Sequence, residues 1–314
     1  MPPHIAVVGS LNMDLVIRTP RFPGPGETII GSAFHTIPGG KGANQAAAAA
    51  KLGARVSMVG RVGDDAFGAQ QLANLSQLSI DVSHIQRDPK AATGVALIVL
   101  DEQGQNSIIL APGANMRLTL ADLEAAEDVL ASAAILVLQL EIPQEVVEQA
   151  IKVARAHGVI VLLNPAPARR LPPTLLSQVD VLIPNESETA LLTGTEVDDI
   201  ESARRAAARL RAAGVGTVIL TLGGRGALLL EGQKATHVPG YRVDVVDTTA
   251  AGDAFVGGFA VGLAGGQDLA EAVRFANAAG ALAVTKLGAQ PSLPTRSEVE
   301  AFLRNRQERV GDAQ

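Results

Sequence analysis

The feature that most constrains the fold is a regular alternation of short apolar segments and helical segments from residue 120 onward. The apolar segments predict strands at 135–140, 159–164, 180–183 and 217–222, followed by hairpin-like strands within 226–246. Helices are predicted at 120–131, 144–157, 186–192, 199–213, 252–264, 268–285 and 296–304. Because the strands are nearly continuous runs of Val, Ile and Leu, both of their faces are expected to be buried. This alternation predicts an α/β fold: a doubly wound, mainly parallel sheet flanked by helices.

The N-terminal part is expected to add strands to the same sheet. Residues 5–9 are an apolar run ending in glycine and predict a buried strand, and residues 56–59 predict another. Between them, a helix is expected from about Ala43 to Leu52. Open parallel sheets bind ligands at the carboxyl ends of their strands. Polar residues that follow these strands are therefore the first candidates for a functional site.

Two segments do not fit the alternation and predict a small, separate β-sheet. Residues 13–37 are rich in Pro and Gly, with strand-forming residues at 27–30. Residues 94–100 and 107–110 predict a hairpin around a turn at 101–104. We expect this sheet to act as a lid. The predicted organisation is a core of residues 1–12, 38–90 and 112–304, a β lid of 13–37 and 91–111, and a polar tail of 305–314.

Composition excludes several classes of function. The net charge is −6 without a basic run, and one Tyr with no Trp offers few stacking platforms, which argues against nucleic-acid binding. The absence of Cys rules out disulfides, thiolate catalysis and Cys-based metal sites. No apolar run is long enough to span a membrane, and no leader pattern precedes the first strand. A cytoplasmic protein is expected.

The main candidate site lies in residues 244–259, where a short apolar strand gives way to small residues and then to a helix. Ala250, Ala251 and Gly252 would let an anion approach the free N–H groups at the helix start. Asp253 follows at once, and a bound phosphate would repel it unless it has a task such as taking a proton from an attacking hydroxyl. From these residues alone, Asp253 could equally be an ordinary first-turn carboxylate.

Polar residues near other strand ends could likewise have either a ligand-binding or a purely structural role. Asn12 and Asp14, after the first strand, suit the hydroxyls of a polyol but could also cap a turn. Glu141 follows a strand and is either a ligand or a solvated loop carboxylate. The glycine-rich segment 39–44 precedes a helix and would direct Lys41 and Asn44 toward a ligand docked there, or it is simply a tight turn.

Two further segments could serve a nucleotide. Asn185 and Glu188 have the oxygen ligands that suit a hydrated magnesium ion, although Ser187 or Asn185 could be a plain N-cap. Residues 221–226 end a strand with glycines that could form a flat surface for a purine, or a hairpin turn. Neither a Gly-x-Gly-x-x-Gly fingerprint nor a Walker-type loop occurs, so a nucleotide would be bound in another way.

The joint occurrence of these segments, in this order, resembles a known family. Residues 39–46, Gly-Gly-Lys-Gly-Ala-Asn-Gln-Ala, resemble the N-terminal signature of the ribokinase-like family of carbohydrate kinases. Residues 247–255, Asp-Thr-Thr-Ala-Ala-Gly-Asp-Ala-Phe, resemble its C-terminal signature. The resemblance covers about residues 5–303. Two long signatures separated by most of the chain make a chance match improbable.

The resemblance implies ATP-dependent phosphorylation of D-ribose at its 5-hydroxyl, with catalytic roles for Asp253 as the base and for the backbone amides of Ala250, Ala251 and Gly252. The residues implied for the sugar pocket are Asn12, Asp14, Gly40, Lys41, Asn44, Glu141 and Asp253. Those implied for the nucleotide are Asn185, Thr221, Gly223, Gly224, Gly226, Gly252 and Asn277. It also implies Mg²⁺ held through water by Asn185 and Glu188, and activating K⁺ held by Asp247, Thr249, Ala283, Lys286, Gly288 and Ser292.

The resemblance further implies a homodimer formed through the β lid, with neither nucleic acid nor membrane as a partner. One alternative is a kinase for another small sugar or nucleoside, such as deoxyribose or fructose. A second is a sugar-binding regulator without catalytic activity, which could dispense with Asp253. This sequence keeps Asp253 and all the small residues of the anion turn, which favours an enzyme.

Overall fold

The computed structural model describes residues 2–103 and 105–311. Within them the strands are β1 His4–Val8, β2 Asn12–Arg18, β3 Ala33–Gly39, β4 Arg55–Gly63, β5 Asp81–Asp88, β6 Gly94–Leu100, β7 Asn106–Ala111, β8 Ile135–Leu138, β9 Ile160–Leu163, β10 Val181–Leu182, β11 Thr217–Thr221, β12 Ala227–Glu231 and β13 Lys234–Val238. The helices are α1 Lys41–Lys51, α2 Ala66–Gln77, α3 Leu120–Glu124, α4 Glu127–Ala131, α5 Gln144–Ala156, α6 Pro173–Leu176, α7 Glu186–Thr193, α8 Ile200–Ala212, α9 Ala251–Ala264, α10 Leu269–Ala283 and α11 Arg296–Gly311.

The large sheet has the strand order β13-β12-β11-β10-β9-β8-β1-β4-β5. Neighbouring strands from β11 to β5 pair in parallel, and β12 and β13 extend the edge as antiparallel strands. Because side chains alternate along a strand, β1 supplies both cores. Ile5 and Val7 pack in one apolar cluster with residues of α1, α9 and α10, whereas Ala6 and Val8 pack in the other with residues of α5 and α8. The predicted doubly wound α/β fold is confirmed.

A separate four-stranded sheet has the order β3-β2-β6-β7. In it, β2 pairs in parallel with β6, and the other two pairs are antiparallel. The predicted small sheet and its hairpin of β6 and β7 are therefore confirmed. We call this sheet the lid sheet.

Several details differ from the predictions. No strand forms at 27–30, because the lid strands are β2 and β3 and the segment between them is a surface connection. Helix α2 and strand β5 were not predicted, because most of their residues are exposed or half-buried and form no long apolar pattern. The helix expected at 120–131 is split into α3 and α4, and the hairpin within 226–246 ends at Val238.

At the C-terminus, α11 continues to Gly311, past the expected end at 304. Residues 312–314 of the expected polar tail, and Gly104 of the expected turn, lie outside the described residues. The domain boundaries stay a prediction. In the described part of the chain, no helix combines the length and the apolar character that crossing a membrane requires.

Candidate active site

A cleft of about 610 Å³ lies between the two sheets. It is at the carboxyl end of β1, which has β4 on one side and β8 on the other. The chain fills the sheet outward from β1 in both directions, so this is the switch point at which open α/β sheets bind ligands. The residues predicted for the sugar pocket all line the cleft: Asn12, Asp14, Gly40, Lys41, Asn44, Glu141 and Asp253.

Asp253 lies in the first turn of α9, and two side-chain amides of α1 hold its carboxylate. Asn44 Nδ2 donates to Oδ2 at 2.9 Å, and Gln45 Nε2 donates to Oδ1 at 2.9 Å. Burial raises the pKa of Asp253, while the charge of Lys41 and the two hydrogen bonds act in the opposite direction. Asn44 Oδ1 is buried without a partner among the described residues, so it can accept a hydrogen bond from a ligand. A buried carboxylate of this kind is suited to taking a proton.

The turn before α9 carries free backbone donors. Ala250 is its N-cap and adopts a left-handed conformation with φ of 59°. The N–H groups of Ala250, Gly252 and Asp253 have no acceptor among the residues that the structure describes, whereas Ala251 N–H donates to Thr248 O at 3.3 Å. Ala250 and Asp253 both line the cleft. The free amides and the positive end of the helix dipole therefore lie at its edge, as an anion site requires.

Asn12 and Asp14 lie on β2, not at the end of β1 as predicted. The prediction failed because the chain enters the lid sheet only a few residues after β1 ends. The two residues alternate along β2, so both side chains face the cleft. The lid sheet thus supplies part of the polar lining directly.

The charges around Asp14 are close enough to shift its ionisation. Burial, followed by the charges of Glu141 and Asp253, raises the pKa of Asp14 to about 7, while Lys41 opposes the shift. Glu141 accepts from Ser10 Oγ at 2.5 Å and from Asn12 Nδ2 at 3.4 Å. The carboxylates and amides together form a dense set of acceptors and donors suited to a polyhydroxylated ligand.

The glycine-rich segment brings α1 against β2. Gly40 has φ of 90°, and a Cβ there would lie 2.6 Å from the backbone nitrogen of Asn12. A Cβ at Gly39 would lie 2.4 Å from Asp14. Lys41 begins α1 in the cleft. Burial disfavours its charged ammonium group, but the surrounding carboxylates of Asp253, Glu141, Glu188 and Asp14 raise the pKa of Lys41 overall.

Asn185 and Glu188 follow β10 and cap α7 reciprocally. Asn185 N–H donates to Glu188 Oε2 at 2.8 Å, and Glu188 N–H donates to Asn185 Oδ1 at 2.8 Å. Burial raises the pKa of Glu188, whose charge also interacts with Lys41 and Asp253. The capping interpretation is therefore correct for Asn185. Among the described residues the cap uses only Oε2 of Glu188, which leaves Oε1 for a hydrated cation.

The residues predicted for the nucleotide fall into two groups. Nothing lies within 4 Å of the positions that a Cβ would take at Gly223, Gly224 and Gly252, so these backbones are open to a ligand. Thr221, Gly226 and Asn277 instead make contacts within the protein. Thr221 Oγ1 donates to Pro184 O at 3.3 Å, Asn277 Nδ2 donates to Val238 O at 3.1 Å, and Gly226 packs against the 238–240 backbone.

The residues predicted for a monovalent cation are only partly brought together. Asp247 accepts from the N–H and the hydroxyl of Thr249 at 2.9 and 2.6 Å, and from Gly288 N–H at 2.9 Å. Although burial opposes it, these hydrogen bonds lower the pKa of Asp247. Lys286 Nζ instead pairs with Glu298 at 2.8 Å, and Ser292 Oγ donates to Ala289 O at 2.8 Å. Ala283 O accepts from Lys286 N–H at 3.3 Å.

Several residues of the site had no role in the sequence interpretation. Asn115 bonds to Leu11 N–H at 2.8 Å and to Asn12 Oδ1 at 2.7 Å, which holds the start of β2 in place. Gln139 and Asn164 lie next to Gln45, behind Asp253. Gln139 and Asn164 are polar residues directly after β8 and β9. Their place at strand ends was the signal that could have identified them.

The comparisons with known proteins agree with this geometry. The sequence matches the pfkB family carbohydrate kinase model over residues 2–296. It is 44% identical to a ribokinase of Haemophilus influenzae over 95% of this chain and 98% of that protein. It is 40% identical to a deoxyribokinase of Salmonella typhimurium over 95% of this chain and 98% of that protein. The chain belongs to the pfkB family of carbohydrate kinases.

A solved structure extends the likeness to three dimensions. The structure of Arabidopsis thaliana ribokinase complexed with ribose and ATP has a TM-score of 0.90 to this one at 38% sequence identity. The alignment covers 96% of this chain and 99% of that chain. The similarity therefore includes both the large sheet and the lid sheet.

Proposed function

We propose that this chain is an ATP-dependent kinase that phosphorylates the 5-hydroxyl of D-ribose. The observation that carries the proposal is the position of Asp253, a buried carboxylate that lies beside free backbone amides and faces a cleft lined by polar groups. Such a site needs a hydroxyl to deprotonate and an anion to hold, which are the two requirements of phosphoryl transfer. Ribokinases at 40–44% identity support ribose as the acceptor.

In the proposed reaction, Asp253 takes the proton of the 5-hydroxyl while the hydroxyl oxygen forms a bond to the γ-phosphorus. The bond from that phosphorus to the oxygen bridging the β-phosphate breaks, and ADP leaves. The free amides of Ala250, Gly252 and Asp253 stabilise the negative charge on the transferred group. Lys41 adds a positive charge at the same end of the cleft. Asn12, Asp14, Asn44 and Glu141 orient the sugar through its other hydroxyls.

The nucleotide is proposed to lie along the open backbones of Gly223, Gly224 and Gly252. Glu188 and Asn185 fit a Mg²⁺ site of the kind that keeps most of its water ligands, because Oε1 of Glu188 is available. When bound with ATP, Mg²⁺ neutralises phosphate charge. Thr221, Gly226 and Asn277 support this surface from behind by fixing the backbone around it.

We also propose a K⁺ site next to the anion turn. Asp247 is ionised, and among the described residues its carboxylate accepts only from Thr249 and Gly288. The charge of Arg18 also acts on Asp247. A carboxylate that forms no salt bridge with the described residues suits a monovalent cation held mainly by backbone carbonyls. The proposed cation ligands are the backbone carbonyls of Ala283, Lys286 and Gly288, together with Ser292. The geometry supports Asp247 and Gly288 most strongly.

A homodimer through the lid sheet is the proposed assembly. On the face of the lid sheet opposite the cleft, Phe34, Leu97 and Ile109 are 59%, 40% and 65% exposed. All three lie on one face, where Leu97 is opposite Ile109 on the neighbouring strand and Phe34 is opposite Ile17. An exposed apolar face on a four-stranded sheet is unfavourable in water. A second copy of the chain would cover it. The cytoplasmic location expected from the sequence stays a prediction.

A second candidate function is phosphorylation of 2-deoxyribose, favoured by the 40% identity to Salmonella deoxyribokinases. The two functions differ in whether the site requires the 2-hydroxyl. A site whose buried polar groups bond a hydroxyl rejects the analogue that lacks this hydroxyl by about 10,000- to 100,000-fold. If Asp14 bonds the 2-hydroxyl, its buried carboxylate would lose that donor with 2-deoxyribose. We therefore expect ribose to be the better substrate.

A coupled ADP-release assay across ribose, 2-deoxyribose, fructose and adenosine tests the proposal. Ribose should give the highest kcat/KM. Asp253→Asn should lower kcat by about 100-fold or more, the usual contribution of a positioned base, with ribose binding by calorimetry within a few-fold of wild type. Glu271→Gln, an exposed first-turn carboxylate on the next helix, is the matched control and should leave turnover unchanged. Activity of Asp253→Asn near wild type would exclude Asp253 as the base.

A further inference from the structure

A chain of buried side-chain amides runs behind Asp253. Gln45 Nε2 donates to Asp253 Oδ1 at 2.9 Å and to Asn164 Oδ1 at 3.1 Å. Gln139 Nε2 donates to Gln45 Oε1 at 2.7 Å. These residues come from α1, the end of β8 and the end of β9, three elements that meet at the carboxyl edge of the large sheet.

The orientation of Gln45 is determined by its two neighbours. Asn164 Nδ2 donates to the backbone oxygen of Ile183 at 2.9 Å, so Asn164 must present its oxygen to Gln45. Gln139 presents its nitrogen to Gln45 from the other side. A flipped Gln45 would place oxygen against oxygen and nitrogen against nitrogen. Both N–H groups of Gln45 Nε2 are therefore directed at acceptors, one of which is Asp253.

Burying these amides in the core is energetically unfavourable, and a neighbouring glycine provides the space for them. Gln45 and Gln139 are 1% and 0% exposed, and Gln139 Oε1 is buried without a partner in the described part of the chain. A Cβ at position 9 would lie 2.0 Å from that oxygen, so Gly9 provides the space for Gln139. Apolar residues would fill the same volume without an unsatisfied acceptor. Stability alone does not explain the amide chain.

We propose that Gln45, oriented by Gln139 and Asn164, is a positioning residue that holds Asp253 ionised and aimed at the hydroxyl to be phosphorylated. The proposal rests on the proposed function, in which Asp253 is the base. Gln45 does not touch the substrate in this scheme, because its carboxamide is hydrogen-bonded to Asp253, Asn164 and Gln139 and does not line the cleft.

The charged groups that face Asp253 act on the same ionisation. Lys41 of α1 favours the carboxylate, whereas Asp14 of β2 and Glu188 of α7 oppose it, and Glu141 lies in the field of Lys41 and Asp14. Removing the hydrogen bond from Gln45 leaves those charges in place and removes one donor from a buried carboxylate. The proton should then leave Asp253 only at a higher pH.

The test is the pH dependence of kcat for ribose in Gln45→Met, which keeps the volume but not the donor. The acid limb should move up by about one to two pH units, the effect of losing one charge-assisted hydrogen bond. Turnover should fall about 10- to 100-fold below that limb and recover above it, with KM for ribose within a few-fold. Gln139→Met should shift the limb in the same direction by less, because Gln45 keeps its hydrogen bond to Asp253 and loses only the donor to its Oε1.

Ile151→Ala is the control for lost stability, since it removes a buried side chain from the opposite apolar cluster. It should leave the acid limb in place. A wild-type pH profile in Gln45→Met, or a loss of kcat that no rise in pH restores, overturns the proposal. Infrared difference titration of the carboxyl band, assigned with Asp253→Asn, reads the same ionisation without substrate. It should show Asp253 protonated at higher pH in Gln45→Met even if wild type fails to phosphorylate ribose.

Discussion

Replacing Asp14 by Asn should stabilise the ligand-free protein at neutral and basic pH. Burial and the neighbouring carboxylates raise the pKa of Asp14 from 3.8 to about 7. A carboxyl group whose pKa is raised by folding stabilises the folded state while it keeps its proton there. That contribution is complete below pH 3.8 and is lost as the pH rises toward about 7. Asn has the shape of Asp and no charge to bury, so it avoids the loss.

The magnitude follows from the pH interval. Between pH 5 and the folded pKa of about 7, the wild type loses about 1.4 kcal/mol of stability per pH unit at this one group. The free energy of unfolding of Asp14→Asn, relative to wild type, should therefore rise by about 3 kcal/mol from pH 5 to pH 8. The comparison between two pH values removes any constant difference in packing between the two side chains.

The assay is urea unfolding without ribose or nucleotide at pH 5, 6, 7 and 8. Far-UV circular dichroism is the suitable probe, because the chain has no Trp. Asp64→Asn, at a surface carboxylate that is 59% exposed, is the matched control and should follow wild type. Parallel pH profiles for Asp14→Asn and wild type would refute the reasoning, since Asp14 would then bury no unfavourable charge.

Ribose should narrow the stability difference between the two proteins. At a concentration of about 100 times its Kd, a ligand stabilises the folded state by about 2.7 kcal/mol. Wild type should gain this stabilisation, whereas Asp14→Asn, which has lost an acceptor for the sugar hydroxyls, should gain little. The same side chain would then destabilise the empty site and bind the substrate, which is the expected trade between stability and function.

The remaining predictions concern the cation and the assembly. Removing K⁺ should lower kcat, and Asp247→Asn should lose this dependence because it removes the carboxylate of the proposed site. An equal wild-type rate in Na⁺-only or ion-free buffer would exclude the site. Wild type should be a dimer by light scattering at micromolar concentration, and the double variant Phe34→Ser, Ile109→Ser should be a monomer, since both changes remove apolar area from the exposed lid face. A wild-type monomer would contradict the proposed assembly.

Much of the fold could be predicted because its signals are local. The burial of both faces of a parallel strand produces an unbroken apolar run, which marks β1, β8, β9 and β11 in the sequence. The lid was harder. Its strand β2 begins with polar residues that belong to the cleft, so Asn12 and Asp14 looked like the end of the preceding strand. The half-exposed strand β5 and helix α2 have no strong pattern of their own.

For the candidate site, the sequence by itself determined the chemical groups: a carboxylate at a helix start, small residues that expose backbone amides, and glycines that let a helix approach β2. Only the tertiary structure decided which groups meet. Gln45 reaches Gln139 and Asn164 across 94 and 119 residues of sequence, and Asp253 across 208. Hydrogen bonds between side chains depend on how elements pack and on which way each amide faces, and no local pattern encodes either. The orientation of the amides behind Asp253 is therefore determined by the tertiary structure.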